Sequence, residues 1–311
     1  MAATVAAAVT VSATAAVTGT AAATVTGTAT VAVAAGFCDA RVMRYVVAFV
    51  ILAVLGGGAR DAGAEPRLKV KHRRDVSITL IGGVAFGLAD TVGKDALSPA
   101  RCRWCVSNPV DRGVRDGLVW DATHRADQLS NLSAYVAVPI ATFGTVALLT
   151  TLDGREAELL DNGIIIAETA VLALGVNYTV KALVGRERPD VHALTAGEKS
   201  MTSDPAENNL SFFSGHSTLA MTLAVAAGTT ASLRGYRHAR WVWATAVPLA
   251  LATGYLRIAA DRHWATDVAT GWAFGAAFGV GVPWLLHRTE APTPVLGRAG
   301  GATTVGVALA W

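Results

Sequence analysis

Two histidines and an aspartate, set among three cations, are the residues of this chain best suited to chemistry. One group is Arg257, five residues, His263, three residues, Asp267. His263 and Asp267 stand four apart, so on a helix the carboxylate is expected to reach one imidazole nitrogen. That contact would fix the tautomer and leave the other nitrogen free as a nucleophile. A structural His–Asp surface pair has the same spacing. A second group is Ser211-Phe212-Phe213-Ser214-Gly215-His216-Ser217, directly before an apolar run. Ser214 or Ser217 can cap the helix that starts there, and Gly215 allows close backbone approach. Free N–H groups at such a helix start attract anions, and His216 would hang beside them. An ordinary N-cap with a surface histidine looks the same. The third group is Lys181, then Arg188-Pro189. Seven positions are about two helical turns, so both cations are expected on one helix face, with Pro189 ending the helix. Alone, these two cations read as caps of an apolar helix.

The coincidence of the three groups, in this order and spacing, carries more than any one of them. It resembles the type 2 phosphatidic acid phosphatase superfamily, which also includes bacterial acid phosphatases and vanadium haloperoxidases. The resemblance covers residues 130–287, and the segment from Leu256 to Val268 is an especially close match. Phe213 stands where Pro usually precedes Ser-Gly-His, and Leu256 where Ser usually precedes Arg. The resemblance implies that Lys181, Arg188 and Arg257 hold phosphate oxygens, with backbone N–H groups near Ser214 and Gly215 completing the cradle. His263 would attack phosphorus, oriented by Asp267, and His216 would protonate the leaving oxygen. It implies a phosphatase acting on a phosphomonoester or pyrophosphate through a phosphohistidine, with no cofactor and no metal. The alternatives are a vanadium-dependent haloperoxidase and a non-catalytic membrane protein that retains the pocket. The remaining histidines, His72, His124, His192, His238 and His287, show no such surroundings and read as bland.

The elements that must position these groups are helical. Apolar runs cover about 132–152, 163–184, 217–233, 241–256 and 268–286, rich in Ala, Leu, Val and Gly and without period-two alternation. The expected fold is all-α: a bundle of about five to six long apolar helices, membrane-embedded, with the site at one end. Hydrophobic residues make up 52% of the 311, charged residues only 16%, and mean hydropathy is +0.43. Soluble domains carry about 25% charged residues, so the balance points to membrane. A net charge of +3, with no basic run among aromatics, excludes a nucleic-acid partner. The expected partners are membrane lipids and a phosphorylated lipid or small phosphoester.

Around this core, residues 1–41 are a low-complexity extension of Ala, Val, Thr and Gly, and a misassigned start is one explanation. Residues 43–64 have the layout of a signal peptide with a small-x-small site at Ala62-Gly63-Ala64, or of an uncleaved anchor. Residues 65–131 form a polar region in which uncharged Val76 to Ala89 is short for a span. The phosphatase core is 132–287, and the tail 288–311 is expected to be irregular. Cys102 and Cys105 lack a second ligand pair for zinc, so they read as a local disulfide of an exported protein. The loop from Arg234 to Arg240 is the most basic short loop and is expected to be cytoplasmic. That puts the 187–216 and 257–267 loops, and so the site, on the outer, periplasmic face of the cytoplasmic membrane; a soluble periplasmic bundle is the alternative.

Overall fold

The computed structural model describes residues 68–289 and four strands, 8–13, 27–32, 293–299 and 302–308. Residues 43–64, read as a leader or anchor, lie outside the described residues. By its internal contacts the chain divides into a terminal unit, residues 1–39 with 289–311, and a main unit, residues 40–288.

In the terminal unit Ala8–Ala13 (β1) pairs antiparallel with Gly27–Ala32 (β2), Ala8 opposite Ala32. In the tail Thr293–Ala299 (β3) pairs antiparallel with Ala302–Ala308 (β4), Thr293 opposite Ala308. The tail is therefore not irregular as its Pro and Gly residues suggest. Val295, Leu296, Thr303, Thr304, Val305 and Val307 are strand formers on facing segments, and they outweigh those breakers. The same Val and Thr bias makes strands in the low-complexity head.

The main unit is a helical bundle. His72–Asp90 (α1), Lys94–Leu97 (α2) and Pro109–Leu118 (α3) precede a long helix, Thr123–Leu152 (α4), which holds two π-helical stretches at Ser133–Ala137 and Ile140–Gly144. Leu159–Val184 (α5), the one-turn Ala196–Lys199 (α6), Gly215–Leu233 (α7), Arg240–Ala259 (α8) and Ala265–Leu286 (α9) follow. Among the described residues, four stretches are long and apolar enough to cross a membrane: Thr123–Leu152, Glu156–Val184, Arg240–Ala259 and Ala265–Leu286. Their outward faces carry exposed Leu132, Ile140, Leu148, Leu160, Leu183, Trp241 and Leu285, an apolar surface that suits lipid better than water.

Helix α7 is the axis of the bundle. It packs against α9, α8 and α5, and 14 of its 19 residues are buried. Because other helices cover it on all sides, it can carry Ser217, Thr218, Thr222, Thr229 and Thr230 in the interior. Its contact with α9 is backbone-close along Gly271, Gly275 and Gly279, which share one face of α9. A Cβ on Gly275 would meet the Thr218 carbonyl at 2.7 Å, and one on Gly279 would meet Val225 Cβ at 2.6 Å.

At the end of the bundle away from the site, the 153–162 and 234–240 loops lock together. Tyr236 Oη donates to Glu158 at 2.8 Å, Arg234 lies 3.5 Å from the same carboxylate, and Arg237 N donates to Asp153 at 2.8 Å. The acidic character of the first loop is thus the electrostatic complement of the second, and both lie on one side of the bundle.

The close α7–α9 approach makes a direct prediction. Gly275→Ala will cost about 1–3 kcal/mol, because backbone rather than a movable side-chain end blocks the added methyl. Gly281→Ala, whose added Cβ would meet only Leu285 Cδ1 at 4.0 Å, will hold or raise the melting temperature in detergent, because alanine is the better helix former. Equal melting of the two variants would contradict the packing.

Candidate active site

Each of the three groups reaches the site by a different local device. Helix α5 ends at Val184, not at Pro189 as the spacing suggests. Gly185 takes the left-handed conformation, φ 58° and ψ 45°, and its N–H returns to Lys181 O. Glycine adopts that conformation without the Cβ penalty other residues meet. Lys181 is therefore on the last turn of α5, while Arg188 arrives on an extended segment beyond it. Helix α7 begins as expected: Ser214 is its N-cap, and its hydroxyl accepts from Ser217 N at 3.4 Å. Gly215 lies so close to α5 that a Cβ would sit 3.2 Å from Asn177 Oδ1 and 3.5 Å from Lys181 Nζ. Arg257 is in the last turn of α8, and His263 follows in the turn before α9.

His263 is not on the helix that carries Asp267, and the expected His–Asp hydrogen bond is absent. Asp267 Oδ2 lies 3.8 Å from His263 Nδ1, whereas Nδ1 is 2.9 Å from the carbonyl of Ser211. A carbonyl only accepts, so the proton sits on Nδ1 and the lone pair on Nε2. Asp267 caps α9 by accepting from Trp264 N at 3.0 Å and takes the Ser211 hydroxyl at 2.5 Å. The carboxylate thus steers His263 through Ser211, whose side chain it grips and whose carbonyl holds the ring.

The charges of all three cations act on this ring. Arg188 and Arg257 are buried, and Lys181 is half-buried. Burial first, then the charges of Arg188, Arg257 and Lys181, holds the His263 pKa well below 6.5. Its ring is therefore neutral near pH 7. His216 Nε2 is 2.6 Å from Asn131 Oδ1, and the His216 ring meets Tyr135 edge-on with centroids 4.9 Å apart. The amide oxygen keeps a proton on Nε2, leaving Nδ1 as the nitrogen whose protonation can change.

Two carboxylates brace the cradle. Glu207 Oε2 is 2.7 Å from Arg188 Nη2, and its carbonyl accepts from Arg188 Nε at 2.9 Å. Arg188 foremost, then Lys181 and Lys94, keeps the Glu207 carboxyl well below the usual carboxylate range. Asp127 accepts from Arg257 Nη1 at 2.5 Å, and Ser130 Oγ is 3.0 Å from the same nitrogen. The bracing is incomplete: Arg188 Nη1 and Arg257 Nε are buried without a hydrogen-bond partner. A cavity of about 220 Å³, lined by Arg188, Leu194, Thr202, Glu207 and Arg262, opens beside Arg188.

Sequence reasoning missed Asn131 and Glu207, and also Arg186. Its guanidinium is 1% exposed and bridges two carboxylates, Asp111 Oδ2 at 2.6 Å and Asp267 Oδ1 at 2.5 Å. It lies 4.1 Å from the ring centre of Trp104 and 5.7 Å from that of Trp264. Trp104 stands between Cys102 and Cys105, which are joined in a disulfide with Cα atoms 5.4 Å apart. No local signal marks Arg186, because its partners are 75 and 81 residues away.

Residues 162–290 match the model of the PAP2 superfamily. No curated protein sequence matches the chain. Among solved structures, a similar one is the first transmembrane PAP2 type phosphatidylglycerolphosphate phosphatase from Bacillus subtilis, with a TM-score of 0.33 and 17% identity. The likeness covers 77% of this chain and 93% of that one.

Two outcomes follow from the geometry. Arg186→Met will destabilise the protein by about 3–5 kcal/mol, because it strands the buried carboxylates of Asp111 and Asp267 without a cation; denaturation in mixed micelles measures it. His263 will titrate below pH 6.5 by NMR of imidazole-labelled protein, so its reactive neutral form is lost only as pH falls through that depressed value. Arg257→Gln will move the titration upward, and a wild-type midpoint at or above 6.5 would contradict the cationic surroundings.

Proposed function

Taking residues 162–290 as a PAP2 superfamily segment, we propose that this protein is a metal-independent phosphatase that hydrolyses a lipid phosphomonoester or pyrophosphate through a phosphohistidine on His263. The observation that carries the reading is the cationic cradle: Lys181, Arg188 and Arg257 around one neutral imidazole, with two buried guanidinium donors left unpartnered. Unsatisfied buried donors are costly, and a tetrahedral oxyanion would satisfy them. Three cations supply the charge stabilisation that a metal ion gives elsewhere.

The reaction has two displacements. His263 Nε2 attacks phosphorus, a P–N bond forms, and the bond to the leaving oxygen breaks as His216 delivers a proton to it. Water then attacks the phosphohistidine, His216 takes the water proton, the P–N bond breaks, and inorganic phosphate departs. Lys181, Arg188, Arg257 and the N–H groups at the start of α7 hold the equatorial oxygens in both steps. Asp267 and Ser211 keep the His263 ring in register without joining the transfer.

A lipid substrate follows from the exposed apolar faces of the spanning helices and from the site at one end of the bundle. The basic loop from Arg234 to Arg240 at the opposite end argues for a site on the outer face of the cytoplasmic membrane. Specificity for the group carrying the phosphate is assigned to the 190–213 loop, which contributes most of the lining of the cavity beside Arg188.

The two histidines separate by leaving group. His263→Ala will abolish turnover of every substrate. His216→Ala will slow an alkyl phosphate by about 10²–10⁴-fold and an aryl phosphate, whose phenolate departs unprotonated, much less. Initial rates in EDTA will match those without it, and vanadate will inhibit. Near-normal turnover by His263→Ala, or a trapped phosphoryl group on His216, would sink the assignment; vanadate-dependent halide oxidation in place of hydrolysis would favour a haloperoxidase.

A further inference from the structure

The far end of the bundle holds a second cluster of titratable side chains that the reaction does not use. Asp75 on α1, Glu168 on α5 and His287 just past α9 are each 0% exposed. Glu168 precedes Lys181 by 13 residues on α5, which places it roughly 20 Å along the helix from the cradle. His287, bland in sequence, is thus buried between two acids.

The geometry of this cluster is unfinished. His287 Nδ1 lies 3.2 Å from the carbonyl of Lys69, which can only accept, so Nδ1 carries the proton and Nε2 the lone pair. Nε2 points to Glu168 Oε2 at 3.1 Å, yet neither atom makes a hydrogen bond, and neither does Glu168 Oε1. An imidazole lone pair facing a carboxylate oxygen in a dry interior is repulsive unless positive charge lies between them. Asp75 Oδ2 is 3.7 Å from His287 Nδ1, and one ligand atom from each of the three residues lies within 4.8 Å of the others. Asp75 is itself fixed by Lys71 N at 2.7 Å and Arg74 Nε at 2.5 Å. A carboxylate offers about four lone-pair sites, so acceptor capacity remains.

We propose that Asp75, Glu168 and His287 hold one divalent transition-metal cation of the zinc class. Imidazole with two carboxylates suits such an ion better than Mg²⁺ or Ca²⁺, which prefer oxygen alone. A backbone carbonyl that fixes the far ring nitrogen is the usual support for a metal-bound histidine. The ion clamps α1 to α5 and to the end of α9, so its role is structural and separate from the cationic cradle.

The test is metal content and melting of the full chain purified in detergent, readouts that hold whether or not the protein hydrolyses phosphate. Wild type grown with zinc and dialysed will retain about one Zn²⁺ per chain, and a strong chelator will lower its melting temperature. Glu168→Gln and His287→Gln will bind Zn²⁺ more than about 100-fold more weakly, beyond the effect of losing a mere supporting partner, and their melting will not respond to chelator. His72→Ala, which removes the exposed His72–Asp161 pair, will keep the ion. The proposal is overturned if wild type carries no metal and ignores the chelator, if Glu168→Gln melts higher than wild type, or if His72→Ala is the variant that loses the ion.

Discussion

The buried carboxylate of Asp267 is the junction on which the site depends. It accepts from Arg186 after α5, from Ser211 before α7 and from Trp264 at the head of α9. Three segments that share no local sequence are thereby fixed to one pair of oxygens. A carboxylate in a dry interior is tolerable only when its lone pairs are met, so each segment has one position that satisfies it. His263 inherits its own orientation from this arrangement, because the Ser211 carbonyl that holds its ring is set by the same grip.

The electrostatics are arranged in two tiers. In the inner tier, the charge of Arg186 is matched by two carboxylates, Asp111 and Asp267, and contributes rigidity. In the outer tier, Lys181, Arg188 and Arg257 are only partly met by Glu207 and Asp127. Positive charge held in place with donors to spare stabilises charge as it develops, without reorganising at the moment of reaction. Burial first and then the same field depress the His263 pKa, so the groups proposed to bind the anion also help keep the proposed nucleophile unprotonated.

The sequence showed the helices and the three groups clearly, because apolar runs and short-range motifs are local signals. It misplaced two details of backbone. Gly185 ends α5 a turn before Pro189, and His263 falls in the turn ahead of α9, so spacing counted along an ideal helix was wrong at both places. It missed Arg186, Asn131 and Glu207 because each acts through a partner or residue type that carries no pattern; Asn131, for example, meets His216 across 85 residues. It also took His287 as bland, since burial between Asp75 and Glu168 arises from three helices meeting and leaves no trace along the chain. The strands of the tail were hidden by Gly and Pro, which say where a chain can turn but not whether its flanks will pair.

The hydroxyl-rich character of α7 bears on how the molecule is assembled. Thr222 and Thr230 present buried hydroxyls without hydrogen-bond partners, and α7 is not among the helices apolar enough to cross a membrane. Such a segment gains little by partitioning alone into hydrocarbon. Its residence at the centre is conditional on α5, α8 and α9 already surrounding it. The axis of the finished bundle is therefore less able to enter the bilayer alone than the spans beside it, and it takes its place together with them, its glycine-lined groove on α9 serving as the berth.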